Sequence, residues 1–336
     1  MCINNQLSPF ATTTDVVKTY VLTTTNKKLL LSIFKRKGTM KISKIALLLG
    51  IVFSMTTGIL RADVSLFGSV EQGLKVLDNG ASEVVANGTI IGAKVDSQVF
   101  VPLDVASGLR VFGTLSADID PSGANAITTR DAFIGIGLGD NIKVSVGRMQ
   151  NIQDTISEAI VGIFAEDVDL KSRNASRDSK TAKATVSLGG VSVVGATIID
   201  GSVGEERLDS WEVGTSLSAF GLNLVTAYAK DENSGTRTIL GGANHTLGPV
   251  TLGGIFEQDK TSSGTTTETA TAVASITVGK NALKAGYQNI FDGGADTYLG
   301  EAEHSFSSNA SAFANVRAIR DTSNSEAYTV GFRLSF

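Results

Sequence analysis

The 336-residue sequence has one cysteine, two histidines, one tryptophan and four prolines, and each scarcity removes a class of protein. The cysteine is Cys2, upstream of everything that reads as an exported domain. The exported part therefore has neither disulfides to support a small core nor thiolates to bind metal. His245 and His304 lie in separate strand-like stretches, with no nucleophile or acid patterned around either. Nothing supplies the paired nucleophile and base of an enzyme, so no catalytic residue, metal or cofactor is expected. After Ala62 no apolar run approaches the ~20 residues of a spanning helix, so any residence in a membrane must be as strands.

What is present begins with an export signal. Met40-Lys41-Ile42-Ser43-Lys44 is a short basic region, followed by the apolar run Ile45–Phe53 and a small residue, Ala62, at a plausible cleavage point. Leu60 is its one imperfect feature, and an uncleaved anchor is the alternative. Residues 40–62 are read as a signal peptide and 63–336 as a single β-barrel domain. Residues 1–39 are read as an upstream segment from a wrongly chosen start, with an extended basic region as the other reading. The first 62 residues hold nine bases and one acid, leaving 20 bases and 32 acids, a net charge of −12 for the rest. That balance excludes a polybasic nucleic-acid binder.

The exported part is rich in Gly, Ser, Thr, Ala and Val and alternates apolar with polar residues over segments of roughly ten, the weak signature of a membrane barrel. At the C-terminus Tyr328, Val330, Phe332, Leu334 and Phe336 share one face, and Ala327, Thr329, Gly331, Arg333 and Ser335 the other. A soluble sandwich also alternates, but its wet face carries more Lys and Glu than these Gly/Ser/Thr faces do. The count is sixteen strands, with fourteen as the alternative. Tight turns at Gly139-Asp140-Asn141, Gly189-Gly190, Ala219-Phe220-Gly221, Leu247-Gly248-Pro249, Lys280-Asn281 and Ser307-Ser308-Asn309 alternate with mostly longer, more polar connections. Closure into an antiparallel barrel leaves no unpaired edge in lipid.

One connection differs. Met149–Lys180, after the fifth strand, shows no clean alternation, and its Ile160-Val161-Gly162-Ile163-Phe164 is too apolar for a solvated loop. It is expected to pack against something.

Three stretches resemble the general, non-specific trimeric porins of Gram-negative bacteria. They are Asp63-Val64-Ser65-Leu66-Phe67-Gly68-Ser69-Val70, Arg130–Gly137 with Val146-Gly147-Arg148, and the terminal Tyr328–Phe336. Between about Gly201 and Ala318 only the rhythm matches. The resemblance implies a sixteen-strand homotrimeric barrel in outer-membrane lipid and lipopolysaccharide, a water-filled channel for small hydrophilic solutes. It also implies a third loop folded into the pore, here Met149–Lys180, offering Asp154, Glu158, Glu166, Asp167 and Asp169 opposite a basic wall. Wall candidates are Lys94, Arg110, Arg130 and Lys183. Lys94 and Arg110 point inward by alternation, whereas Arg130 shares parity with the apolar Ile134, Ile136 and Leu138. Arg148 corresponds to an arginine that can face a neighbouring subunit. The stripe Tyr328, Val330, Phe332, Leu334 and Phe336 corresponds to the signal read by the barrel assembly machinery.

For each charged candidate, simple solvation in a wide, wet lumen is the competing reading. A net charge of −12 favours cations and the basic wall opposes it, so the sign of ion preference stays open. A substrate-specific outer-membrane channel is one rival function. A secreted Gly/Ser/Thr-rich β-solenoid adhesin is another, though no repeat of fixed period is present.

Overall fold

The computed structural model describes residues 63–85, 89–98, 108–119, 127–164, 170, 176–199, 210–291, 294–321 and 324–336. The expected signal peptide (40–62) and upstream segment (1–39) lie outside the described residues, as do Glu166, Asp167 and Asp169.

The strands in chain order are β1 (Asp63–Leu77), β2 (Ser82–Val85), β3 (Ile90–Gln98), β4 (Leu109–Ile119), β5 (Ile127–Leu138) and β6 (Ile142–Gln150). A helix, α1 (Ile152–Val161), precedes β7 (Arg177–Leu188), β8 (Val191–Ile198), β9 (Ser210–Ala219) and β10 (Leu222–Asp231). Then come β11 (Arg237–Leu247), β12 (Val250–Lys260), β13 (Thr266–Val278), β14 (Asn281–Ile290), β15 (Asp296–Ser307), β16 (Ala310–Arg320) and β17 (Ser325–Ser335). Apart from β2 and β3, which do not pair with each other, each strand pairs antiparallel with its sequence neighbours, and β1 pairs with β17 from Ser69↔Ser335 to Leu77↔Ala327. That last pairing closes the barrel. Both β2 and β3 pair with β1, at Gly73–Val76 and Asp63–Ser69 respectively, so they fill one position around the wall. The barrel therefore has sixteen strand positions, not fourteen.

Alternation becomes sidedness. Val64, Leu66, Leu74, Ile134, Ile136, Val191, Val193, Val330 and Leu334 stand exposed on the outer face, as lipid contact requires. Aromatic residues sort by polarity along the barrel axis. Trp211, Tyr228, Tyr287, Tyr298 and Tyr328 lie toward the rim of the long connections, with the Tyr287 and Tyr328 hydroxyls donating to Asp296 and Glu326. Phe220, Phe306, Phe332 and Phe336 lie at the opposite rim, beside the tight turns. Two aromatic bands flanking an apolar belt mark the two membrane interfaces. All six expected tight turns fall at the Phe rim. At one of them Phe220 itself takes a left-handed φ of 53° and is fully exposed, a conformation a bulky side chain rarely adopts.

The packed core lies inside the barrel. Val225, Ala227, Leu240, Ile255, Val273, Leu299 and Phe313 are buried on the inner face, in one cluster with Ile152, Ile156, Ile160, Val161, Phe164 and Leu170. The apolar stretch Ile160–Phe164 thus has its packing partner. Met149–Lys180, a segment with no clean alternation, also holds the ten-residue helix α1, which its sequence pattern does not announce.

Candidate functional site

Helix α1 starts where Asn151 caps it, its Oδ1 accepting from the Asp154 N–H at 2.7 Å. Ile152, Ile156 and Ile160, each four residues from the next, form one buried face. That face meets β8 to β13. It lies on the same side of the wall as Gly214 and Gly253, opposite the outward stripe of Val213, Leu217 and Leu252. A Cβ on Gly214 would stand 2.5 Å from Ile152, one on Gly253 2.6 Å from the Ile160 carbonyl, and one on Gly286 2.8 Å from Phe164 and Leu170. These glycines let the segment press against the inner wall.

Polar ties fix the same seat. Glu212 of β9 accepts from the Ile152 backbone N–H at 2.6 Å, an anion at the positive end of the helix. Asn244 of β11 donates its amide to the Ala159 carbonyl at 2.9 Å. Lys183 of β7 donates to the Gln150 carbonyl at 2.6 Å. Thr155, Glu158 and Ala159 remain exposed.

The acidic candidates separate. Asp154 is buried in the first turn and Glu158 is exposed. The Gln150 side-chain amide donates to both, at 2.5 Å and 2.7 Å.

Most of the basic candidates are engaged. Arg110 faces inward near the tight-turn rim, held by Asp96 (Nε–Oδ1 3.0 Å) and by Asp140 at 2.6 Å. Two acids at a partly exposed guanidinium cancel its charge at a distance. Arg130 also faces inward. Between Leu115↔Ala132 and Ala117↔Thr129, β5 has two residues, Arg130 and Asp131, opposite Ser116 alone. This bulge breaks the parity that puts Arg130 on the outer face in a regular strand. Its guanidinium meets Asp118 at 2.9 Å, and Asp131 takes Arg177 at 3.3 Å. Lys94 lies on the inner face with its Nζ 4.5 Å from the centroid of the Phe67 ring.

Arg148 points outward, on the face of Ile142, Val144 and Val146, and its Nε donates to the carbonyls of Thr129 and Arg130. Tyr328, Val330, Phe332, Leu334 and Phe336 are all exposed on the outer face. The main chain of Phe336 exchanges two 3.0 Å hydrogen bonds with Gly68.

Several residues not singled out in the sequence share the inner wall. Glu212 and Asn244 hold the helix. Around the closing strands Lys284 bonds Glu301 (2.6 Å) and Glu303 (2.7 Å), and Arg333 bonds Glu71 at 2.8 Å. Their common signal was available: a charged or amide side chain at the inward parity of a strand. Among the described residues no group of three or more His, Cys, Asp or Glu is placed to hold a metal.

Residues 46–324 match the family described as Gram-negative porin. No curated protein sequence matches the chain. Among solved structures, an anion-selective porin from Comamonas acidovorans is similar at TM-score 0.67 and 16% identity, over 82% of this chain and all of that one. A loop-deletion mutant of OmpT from Vibrio cholerae gives 0.65 at 14% identity, over 82% of this chain and 99% of that one. A triple mutant of the Rhodopseudomonas blastica porin gives 0.60 at 17% identity, over 82% and 100%. At such identities the structures speak for the fold, whereas the family match spans most of the sequence. The chain belongs to the Gram-negative porin family and forms a multi-pass β-barrel of the outer membrane, a channel for passive diffusion of solutes.

Proposed function

We infer that the lumen is narrowed at helix α1, and that small hydrophilic solutes and ions cross by diffusing past it without chemical change. The supporting observation is the seating of α1 on the inner wall, held by Glu212 and Asn244 with Glu158 exposed. Asp154 contributes to the seat, and Glu158 supplies charge to the passage. Glu166, Asp167 and Asp169, beyond the described residues, belong to the same acidic loop. Facing it, Arg110 and Arg130 are compensated by Asp96, Asp140 and Asp118, which leaves Lys94 as the more effective wall charge. With −12 on the exported chain, this arrangement favours cations.

The protein works as a homotrimer, with Arg148 at the subunit contact. The chain is exported on a signal peptide at 40–62, and the barrel assembly machinery reads the Tyr328–Phe336 stripe. Lipid and lipopolysaccharide surround the outer face. No catalytic role is assigned. In a planar bilayer the purified protein gives stepwise ohmic conductance at low voltage, in groups of three. A folded, inserted sample that passes no current sinks this reading, and a salt-gradient reversal potential of anion sign overturns the cation preference.

A further inference from the structure

The ladder between β5 and β6 runs from Leu138↔Ile142 to Ala132↔Arg148 and ends there, although β5 continues to Ile127. Asp131, Arg130 and Thr129 therefore have no rung on the β6 side. Backbone carbonyls outside a ladder still need donors. One outward side chain supplies them here, with Arg148 Nε donating to the Thr129 carbonyl at 3.0 Å and the Arg130 carbonyl at 3.2 Å.

That overhang is the bulge of β5. Its two extra residues are fixed from the inner side as well. Arg130 meets Asp118 at 2.9 Å, and Asp131 takes Arg177 at 3.3 Å while its backbone N–H donates to Ser116 Oγ at 3.2 Å. The preceding residue, Gly147, makes the outer tie possible. Its φ is 139°, and a Cβ there would stand 2.2 Å from the Ala132 carbonyl, so glycine alone lets β6 come this close. On its other side Arg148 faces a second bulge, since Ser179 and Lys180 of β7 lie between the rungs Gly147↔Thr181 and Met149↔Asp178. Arg148 thus sits between two bulges, opposite one and hydrogen-bonded to the other.

We propose that Arg148 is a positioning residue for the ion path. From outside the barrel it holds the Thr129 and Arg130 carbonyls, those carbonyls fix the bulge, and the bulge keeps the Arg130 guanidinium in the lumen. Arg148 itself never touches a passing ion. Both bonds use Nε, so a neighbouring subunit can still meet the terminal nitrogens of the same side chain. The inference rests on the porin reading, in which Arg130 lines the passage.

The test is the salt-gradient reversal potential of the full-length channel, with variants chosen by where each puts a donor. Arg148→Ala removes it and should shift the potential toward cations, in the direction of Arg130→Gln and no further. Adding Arg148→Ala to Arg130→Gln should bring no additional shift, because both act through one guanidinium. Arg148→Gln restores the parental potential, since its amide nitrogen lies as many bonds from Cβ as the arginine Nε. Arg148→Lys keeps the charge but has a methylene at that place, and should behave as Arg148→Ala does. Should Arg148→Ala fail to insert, the Gln and Lys variants decide between them. Parental potentials in both Arg148→Ala and Arg148→Lys overturn the proposal and leave Arg148 to the subunit contact. A parental Arg148→Lys beside a shifted Arg148→Gln overturns it too, because the charge and not the Nε donor is then what matters. An Arg148→Ala shift that adds in full to that of Arg130→Gln also overturns it. Absence of conductance in the parent protein removes the porin reading itself.

Discussion

The carboxylate of Glu212 accepts the backbone N–H of Ile152 at 2.6 Å, joining the first turn of α1 to a wall strand sixty residues further along the chain. A charge-assisted bond of this kind contributes roughly 1.5–3 kcal/mol. Glu212→Ala should free the start of the helix, so single-channel records gain flicker and a higher mean conductance. Glu212→Gln keeps an acceptor without the charge and should fall between the two. A quiet Glu212→Ala channel of parental conductance would mean that the apolar face alone holds the helix.

The glycine seat makes a separate prediction. Gly214 faces Ile152 and Ile156, and a Cβ there stands 2.5 Å and 2.9 Å from them. Inserting side-chain atoms into a packed contact typically costs about 1–3 kcal/mol. Gly214→Val should unseat α1 while the barrel still closes, because the wall hydrogen bonds run through the main chain. The expected readings are larger conductance and faster proteolytic cleavage between residues 150 and 176, with heat-modifiable migration on gels retained. Loss of heat-modifiable migration would assign Gly214 to barrel folding instead of helix seating.

Glu212 and Gly214 lie beyond what was legible in the sequence. Period-two alternation and turn residues carry the strands, because lipid outside and water inside sort every second side chain. The rims were equally plain, and so was the need to bury Ile160–Phe164. Helix α1 was harder: ten residues hold only three turns, and Ile152, Ile156 and Ile160 read as scattered apolar positions until a wall exists to receive them. The ties to Glu212, Lys183 and Asn244 span 60, 33 and 85 residues, and no local pattern encodes them. Arg130 illustrates a different limit. One extra residue in β5 turns it inward, and a bulge in a strand of Thr, Asp and Ala has no sequence marker.

Charge at the narrowing is tested by Glu158, the exposed acid of α1. Glu158→Gln should move the salt-gradient reversal potential toward anions, and Glu158→Lys further in the same direction. Arg130→Gln, which also leaves Asp118 without its 2.9 Å partner, should move it toward cations. If neither Glu158 variant shifts the potential, that side chain lies outside the ion path.

Closure of the barrel depends on a contact between its two ends. The Gly68 and Phe336 main chains exchange two 3.0 Å hydrogen bonds, and a Cβ on Gly68 would stand 2.5 Å from the Phe336 ring and 2.7 Å from the Ile90 carbonyl. Ring and glycine therefore occupy one volume, the aromatic covering backbone that would otherwise lack a side-chain neighbour. Gly68→Ala should destabilise the folded barrel by about 1–3 kcal/mol, seen as a lower temperature for loss of the heat-modifiable band. Phe336→Ala removes the ring and should slow assembly into membranes. The double variant separates the two clashes, since neighbours that share a volume do not add. Less loss in the double variant than the sum of the singles places the conflict at the ring. A fully additive loss places it at the Ile90 carbonyl, and the terminal aromatic then acts only in assembly.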